Sequence, residues 1–313
     1  MQTAETVPVV AAVKSKESAP SSMWRDTLRH LFHQRSAIVG AFVLSVLLLV
    51  AILAPVIAPY SPTDPLIGKE DVRKREAPCI HLLGCPADKP QHLFGIDGNV
   101  RDLFSRVIYG AQLSLQVGIL SVGFAIVLGT VLGAVAGYAG GGVDNLIMRL
   151  MDVLLAFPSL ILAIAIVTVL GPGLINTLIA IGIVSIPSYA RIVRASVLSI
   201  KEQDFVTADR ALGVAPARIL FRRILPNALT PLIVTGTLGI ATAILDAAAL
   251  SFLGLGAQPP DPEWGSMIGQ ERNQIFTAPH LIFFPGVALI LTVLGFNLLG
   301  DGLRDALDPR LNR

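Results

Sequence analysis

At 313 residues, with 53% hydrophobic and only 15% charged side chains and a mean hydropathy of +0.68, the chain is too apolar for a soluble domain, where about a quarter of residues are charged. It belongs in a membrane. The net charge of +2 gives no electrostatic reason to expect a nucleic-acid partner.

Residues 1–22 mix Ala, Val, Pro, Ser, Lys and Glu without a sustained period, and the VPVVAAV run is too short for the apolar core of a signal peptide. They read as a disordered cytoplasmic tail, with the membrane domain spanning 23–313. From Trp24 to Arg35 the residues Trp24, Leu28, Leu31 and Phe32 share one helical face, which suits a helix in the headgroup region or an extension of the first span. Ala37 to Tyr60 carries no charge and is long enough to cross the hydrocarbon core, which takes about 20 helical residues. That is span one.

The loop at 61–106 follows. It holds both cysteines, Cys79 and Cys85, for which a disulfide in an oxidising compartment and free thiols both stay open. His81 and His92 lie near them, but the spacing matches no metal motif and no metal ligands are assigned. Asp97, Arg101, Asp102 and Arg106 alternate in sign and are expected to form weak exposed pairs or to meet a docked protein.

The second uncharged stretch, Val107 to Val143, exceeds one span, and its Gly129, Gly133 and Gly137 repeat suits close helix packing. Spans three and four, Val153–Leu170 and Leu174–Ala190, flank a Gly171-Pro172-Gly173 turn. Pro158 and Pro187 are expected to start, bend or open these helices.

The most charged piece between apolar blocks is Phe205 to Asn227, within a loop at 191–227. Phe205, Ala208 and Leu212, then Ile219, Leu220 and Ile224, recur at helical spacing and predict two short amphipathic helices. Gly213 supplies the left-handed turn between them, Pro216 suits the first turn of the second, and Pro226 is expected to stop it. With Arg210, Arg218, Arg222 and Arg223, this is a candidate docking surface.

Span five runs from about Pro231 to Leu253 and contains Asp246, the only acidic residue deep in a span. Such a carboxylate marks an interior-facing position. It either lines the path of a substrate and meets an amino group or hydrogen-bonds a neighbouring helix. The loop Ser251 to Met267 is stiffened by Pro259, Pro260 and Pro262, and is read either as part of an outer gate, with Gln258 and Trp264, or as a rigid connector. Trp264 is expected at the membrane interface. Span six, about Leu281 to Leu299, completes six crossings.

Six crossings put both termini on one side. With the termini inside, inner segments hold 16 of the 24 Lys and Arg residues, so both termini and the docking loop are expected to be cytoplasmic. Searches for an enzyme's motifs fail. Gly68-Lys69 is followed by Glu70, so there is no phosphate loop, and no His-Glu-x-x-His pair occurs.

The pattern Thr207, Ala208, Asp209, Gly213, Leu225 and Pro226 resembles the cytoplasmic coupling loop of ABC importer permeases, although the family commonly has Ala at the position of Asp209 and an aliphatic residue at that of Arg223. FGIDGNVRDLFSRVIYGAQLSL (94–115), SFLGLGAQPPDPEWGSMI (251–268) and NLLGDGLRDALDPRL (297–311) widen the likeness to residues 24–313. They resemble the permeases of dipeptide, oligopeptide, glutathione and nickel importers, with the C-type dipeptide permease nearest. Val100 departs from the family's Gly and puts a tight turn there in question.

The resemblance implies an all-α fold of six transmembrane helices of the type I ABC importer class, in a bacterial cytoplasmic membrane. It also implies a heterodimer with a second permease, two ATP-binding subunits that carry ATP and Mg, and an extracytoplasmic substrate-binding protein. This chain itself would bind no cofactor. A secondary transporter would show several intramembrane ionisable groups, and Asp246 stands alone. A passive scaffold would leave the docking loop without a purpose.

Overall fold

The computed structural model describes residues 34–307, so the tail and the Trp24–Arg35 helix, apart from its last two residues, lie outside the described residues. Among the described residues five helices are long and apolar enough to cross a membrane: α1 (Arg35–Ile52), α3 (Leu103–Ala139), α6 (Leu174–Ile200), α10 (Thr230–Phe252) and α12 (His280–Leu307). The short α2 (Ala54–Ile57) extends α1 beyond a break at Leu53, where Pro55 enters the next turn.

Span three differs from expectation. The chain leaves α3 at Gly140, forms α4 (Gly141–Leu155), and turns by 91° into α5 (Ser159–Leu170). The 12 residues of α5 reach about 18 Å at 1.5 Å per residue, short of a bilayer's hydrocarbon thickness, so α4 and α5 count as one broken span. Pro158 is the N-cap of α5, and its fixed φ and missing N–H end helical continuity there. Pro187 behaves differently. It lies buried inside α6, which stays helical to Ile200, ten residues past the expected end of span four.

Packing explains that continuity. α3 lies along α6 over much of its length, and a Cβ built on Gly133 would collide with the Ala190 carbonyl oxygen. Only glycine lets the two backbones approach so closely. Val193, Val197 and Ala190 are fully buried in the same seam. α1 packs on α12, α10 lies between α12 and α3, and the short α11 (Trp264–Glu271) fits against α10 and α12.

The loop between α2 and α3 is built on internal ion pairs, which corrects the expectation of exposed, weak ones. Arg101 Nε lies 2.8 Å and Arg106 Nε 3.4 Å from one Asp97 oxygen, and all three side chains are buried. Arg106 also donates to the carbonyls of Pro62 and Pro260, at 2.5 and 3.0 Å, and so ties this loop to the one after α10. The tight turn forms despite its valine, with Val100 at φ +59° and its side chain packed with Leu66 and Ile96.

Candidate functional site

Beyond α6 the chain forms α7 (Asp204–Ala211), α8 (Pro216–Ile219), a π-helical turn (Leu220–Ile224) and α9 (Leu225–Ala228). Gly213, at φ +73°, closes α7. Its N–H bonds the Arg210 carbonyl and the Val214 N–H bonds that of Asp209, the paired bonds of a Schellman turn. Pro216 stands in the first turn of α8. Pro226, in contrast, does not stop the second helix. It sits in the first turn of α9, and the π turn before it carries the chain through, with the Leu225 N–H reaching the Leu220 carbonyl.

The two apolar faces read from the sequence have opposite fates. Ile219, Leu220 and Ile224 are buried, but Phe205, Ala208 and Leu212 stay exposed and Val206 is the residue of α7 that enters the core. Leu212 is 80% and Phe221 59% exposed. Thr207, Arg222 and Pro226 are exposed beside them. Asp209 and Arg223 approach to 3.1 Å, an ion pair that links α7 to the π turn.

The stem of this loop is anchored to the broken span. Arg194 on α6 donates to both carboxylate oxygens of Asp144 on α4 at 2.5 Å, and Arg191 donates to Asp152 at 2.6 Å. Lys201 reaches the Gly137 carbonyl at 3.0 Å. The sequence reading did not pair these residues. Two arginines three apart on one helical face, opposite two acids in an apolar region, were the available signal.

Between the α4–α5 break, α6 and α10 lies a cavity of about 370 Å³. Asp246 opens into it with Ser159, Ser185, Ser188, Tyr189 and Thr242. Among the described residues no side chain or backbone group of this chain donates a hydrogen bond to Asp246.

The loop after α10 is held by local hydrogen bonds. The Gln258 amide donates to the Gly254 and Gly256 carbonyls at 3.0 and 2.9 Å. Trp264 corrects the interfacial expectation: it is 1% exposed, and its indole N–H donates to the Val107 carbonyl at 2.9 Å. An indole buried in this way finds its partner inside the protein. Glu263 caps α11 through the Gly265 and Ser266 N–H groups, and Glu271 accepts from Arg75 and the Gly98 N–H.

In the first loop Cys79 and Cys85 are joined by a disulfide. His92 is clamped between carboxylates, Nδ1 at 2.8 Å from Asp102 and Nε2 at 3.0 Å from Glu70, which also accepts from the Tyr60 hydroxyl. His81 Nε2 lies 2.8 Å from the Lys89 carbonyl oxygen. Among the described residues no group of three or more His, Cys, Asp or Glu is arranged to hold a metal ion.

Residues 129–313 match the family described as binding-protein-dependent transport system inner membrane component, and residues 22–78 match the N-terminal transmembrane domain of oligopeptide transport permease C. The chain belongs to this inner-membrane transport family. The dipeptide transport system permease protein DppC of Alkalihalophilus pseudofirmus is 49% identical, over 93% of this chain and 91% of its own length. The di/tripeptide transport system permease protein DppC of Pseudomonas aeruginosa is 45% identical, over 94% and 96%. The glutathione transport system permease protein GsiD of Escherichia coli is 46% identical, over 92% and 91%. Among solved structures, an inward-facing MetNI methionine ABC transporter matches with a TM-score of 0.54 at 21% identity, over 65% of this chain and 97% of that one. The permease therefore has the type I ABC importer fold and resides in the inner membrane.

Proposed function

We propose that this permease forms one half of the inward pathway of an ABC importer for di- and oligopeptides. A second, different permease supplies the other half, one of two ATP-binding subunits docks on Phe205–Asn227, and an exported binding protein delivers the substrate. ATP and Mg²⁺ belong to the ATP-binding subunits. The observation that carries the docking role is the exposed apolar face of Phe205, Ala208 and Leu212, with Phe221 also exposed in the same loop. A face of this kind on a projecting helix pair fits a groove on a partner. The Lys and Arg distribution supports a cytoplasmic position for it.

The stiff loop with Gln258 and Trp264 forms part of the outer gate. Closure of the ATP-binding subunits moves the docking helices, α6 transmits the movement, and the pathway opens alternately to the binding protein and to the cytoplasm. Peptides rank first as cargo because permeases named for dipeptides and di/tripeptides are nearly half identical over most of the chain. Glutathione is the second reading, favoured by the similar identity of the Escherichia coli glutathione permease.

Gly213→Val tests the docking role. A β-branched residue at positive φ costs about 1–2 kcal/mol locally, and a Cβ at this position has no atom within 4 Å, so the membrane domain should insert normally. Peptide uptake by vesicles holding the complete importer should fall at least about tenfold, as expected for loss of ~1.4 kcal/mol or more in coupling. Normal uptake would contradict the role. Affinity purification in mild detergent should recover the second permease, the ATP-binding subunits and the binding protein, whose ligand then separates peptide from glutathione.

A further inference from the structure

The 370 Å³ cavity is at the lower end of small-ligand pockets, which span about 300–1,000 Å³, and it lies among membrane-spanning helices. Its polar groups are hydroxyls and one carboxylate. Among the described residues no Lys, Arg or His lines it. Asp144 and Asp152, the other acids of this region, are each matched to an arginine, so the missing counter-charge at Asp246 is local. An ionised carboxylate among apolar helices is costly without a cation.

We propose that the Asp246 cavity is a binding site for an amine cation, and, resting on the peptide-import reading, that it receives the α-ammonium group of a peptide in transit. The hydroxyls of Ser185 and Thr242 already donate to carbonyls one turn back in their own helices, at 2.8 and 3.5 Å. That leaves their oxygen lone pairs facing the cavity as further acceptors for N–H groups. The wall at the α4–α5 break adds Ser159 and the apolar Leu154 and Phe157, a surface for a substrate's uncharged portion.

The test reads the charge preference of the cavity directly. Ser188, exposed on the cavity wall, is replaced by cysteine in the full chain assembled with its partners; Cys79 and Cys85 are the only native cysteines of this chain and are bonded to each other. Reaction of Ser188→Cys on this chain is followed by mass spectrometry with aminoethyl methanethiosulfonate, a cation, and sulfonatoethyl methanethiosulfonate, an anion. Each rate is divided by that of a free thiol in solution.

With Asp246 present the cation should be favoured at least about tenfold, the effect of a nearby unit charge in a poorly screened site. In Asp246→Asn the preference should vanish, and in Asp246→Glu it should persist. An equal ratio in all three, or no labelling by either reagent, overturns the proposal. So does pairing of Asp246 with a cation from the second permease, which would leave no preference to lose. Should Asp246→Asn fail to assemble, protection decides: a dipeptide with a free amine should slow cationic labelling and its N-acetylated form should not, and equal protection overturns the proposal.

The two readings separate cleanly. A charge preference that follows Asp246 in vesicles that take up no dipeptide keeps the amine site and sinks peptide import. Dipeptide uptake with a maximal rate and a labelling ratio indifferent to Asp246→Asn does the reverse.

Discussion

Both ring nitrogens of His92 face carboxylates, and only the imidazolium can donate to Asp102 and Glu70 at once. Burial lowers the pKa, but the hydrogen bond and charge of Asp102, joined by those of Glu70, outweigh it and leave the pKa raised. Because the folded value exceeds the unfolded one, the stability contributed is fully present below about pH 6.5 and is lost as pH rises through the folded pKa. Thermal unfolding of the purified importer should therefore shift down by at least about 2 °C between pH 6 and pH 9 through this group, and His92→Gln should flatten that part of the profile. A wild-type slope unchanged by His92→Gln would contradict the clamp. Val100 shows the opposite economy at a single residue. Its left-handed backbone is strained by its branched side chain, and burial of that side chain against Leu66 and Ile96 offsets the strain.

At the scale of elements, the α3–α6 seam makes a graded prediction. The Cβ of Gly133→Ala would press on backbone at Ala190, whereas a Cβ at Gly123 on the same helix meets nothing within 4 Å. Gly133→Ala should destabilise the purified protein by about 1–3 kcal/mol, and Gly123→Ala should be neutral or stabilising by up to about 1 kcal/mol. Denaturation in detergent measures both, and equal effects would dismiss the seam. The small-residue repeat was legible in the sequence because periodicity alone reveals it. So were the existence and order of five spans and the Gly213 turn, which follow from hydropathy and local turn chemistry. The right angle at Pro158 was not, because Pro187 has the same local chemistry and leaves α6 unbroken; the difference lies in what each helix packs against. For the same reason the burial of Trp264, the exposure of Phe205 and Leu212, and the meeting of Asp209 with Arg223 escaped a one-dimensional reading. Each is decided by residues distant in sequence.

At the scale of the whole molecule, the disulfide supports the proposed sidedness, since bonded cysteines are characteristic of an oxidising compartment. Alkylation of the denatured, unreduced chain should modify neither Cys79 nor Cys85, and reduction beforehand should expose both. Two reactive thiols without reduction would remove this support for an outward-facing first loop.

The unbroken α6 has a mechanical meaning. Its 27 residues make a rod about 40 Å long that, under the proposed coupling, would pivot near Gly171 and Gly173 and be pulled at the Ile200 end. Ser185, Ser188 and Tyr189 stand near its midpoint. A rod pivoting at one end halves displacement at its centre, so a pull of ~4 Å at the docking end shifts this wall of the Asp246 cavity by ~2 Å, about the reach of one hydrogen bond. The same stroke that swings the base of the rod would thus make or break a grip at its centre.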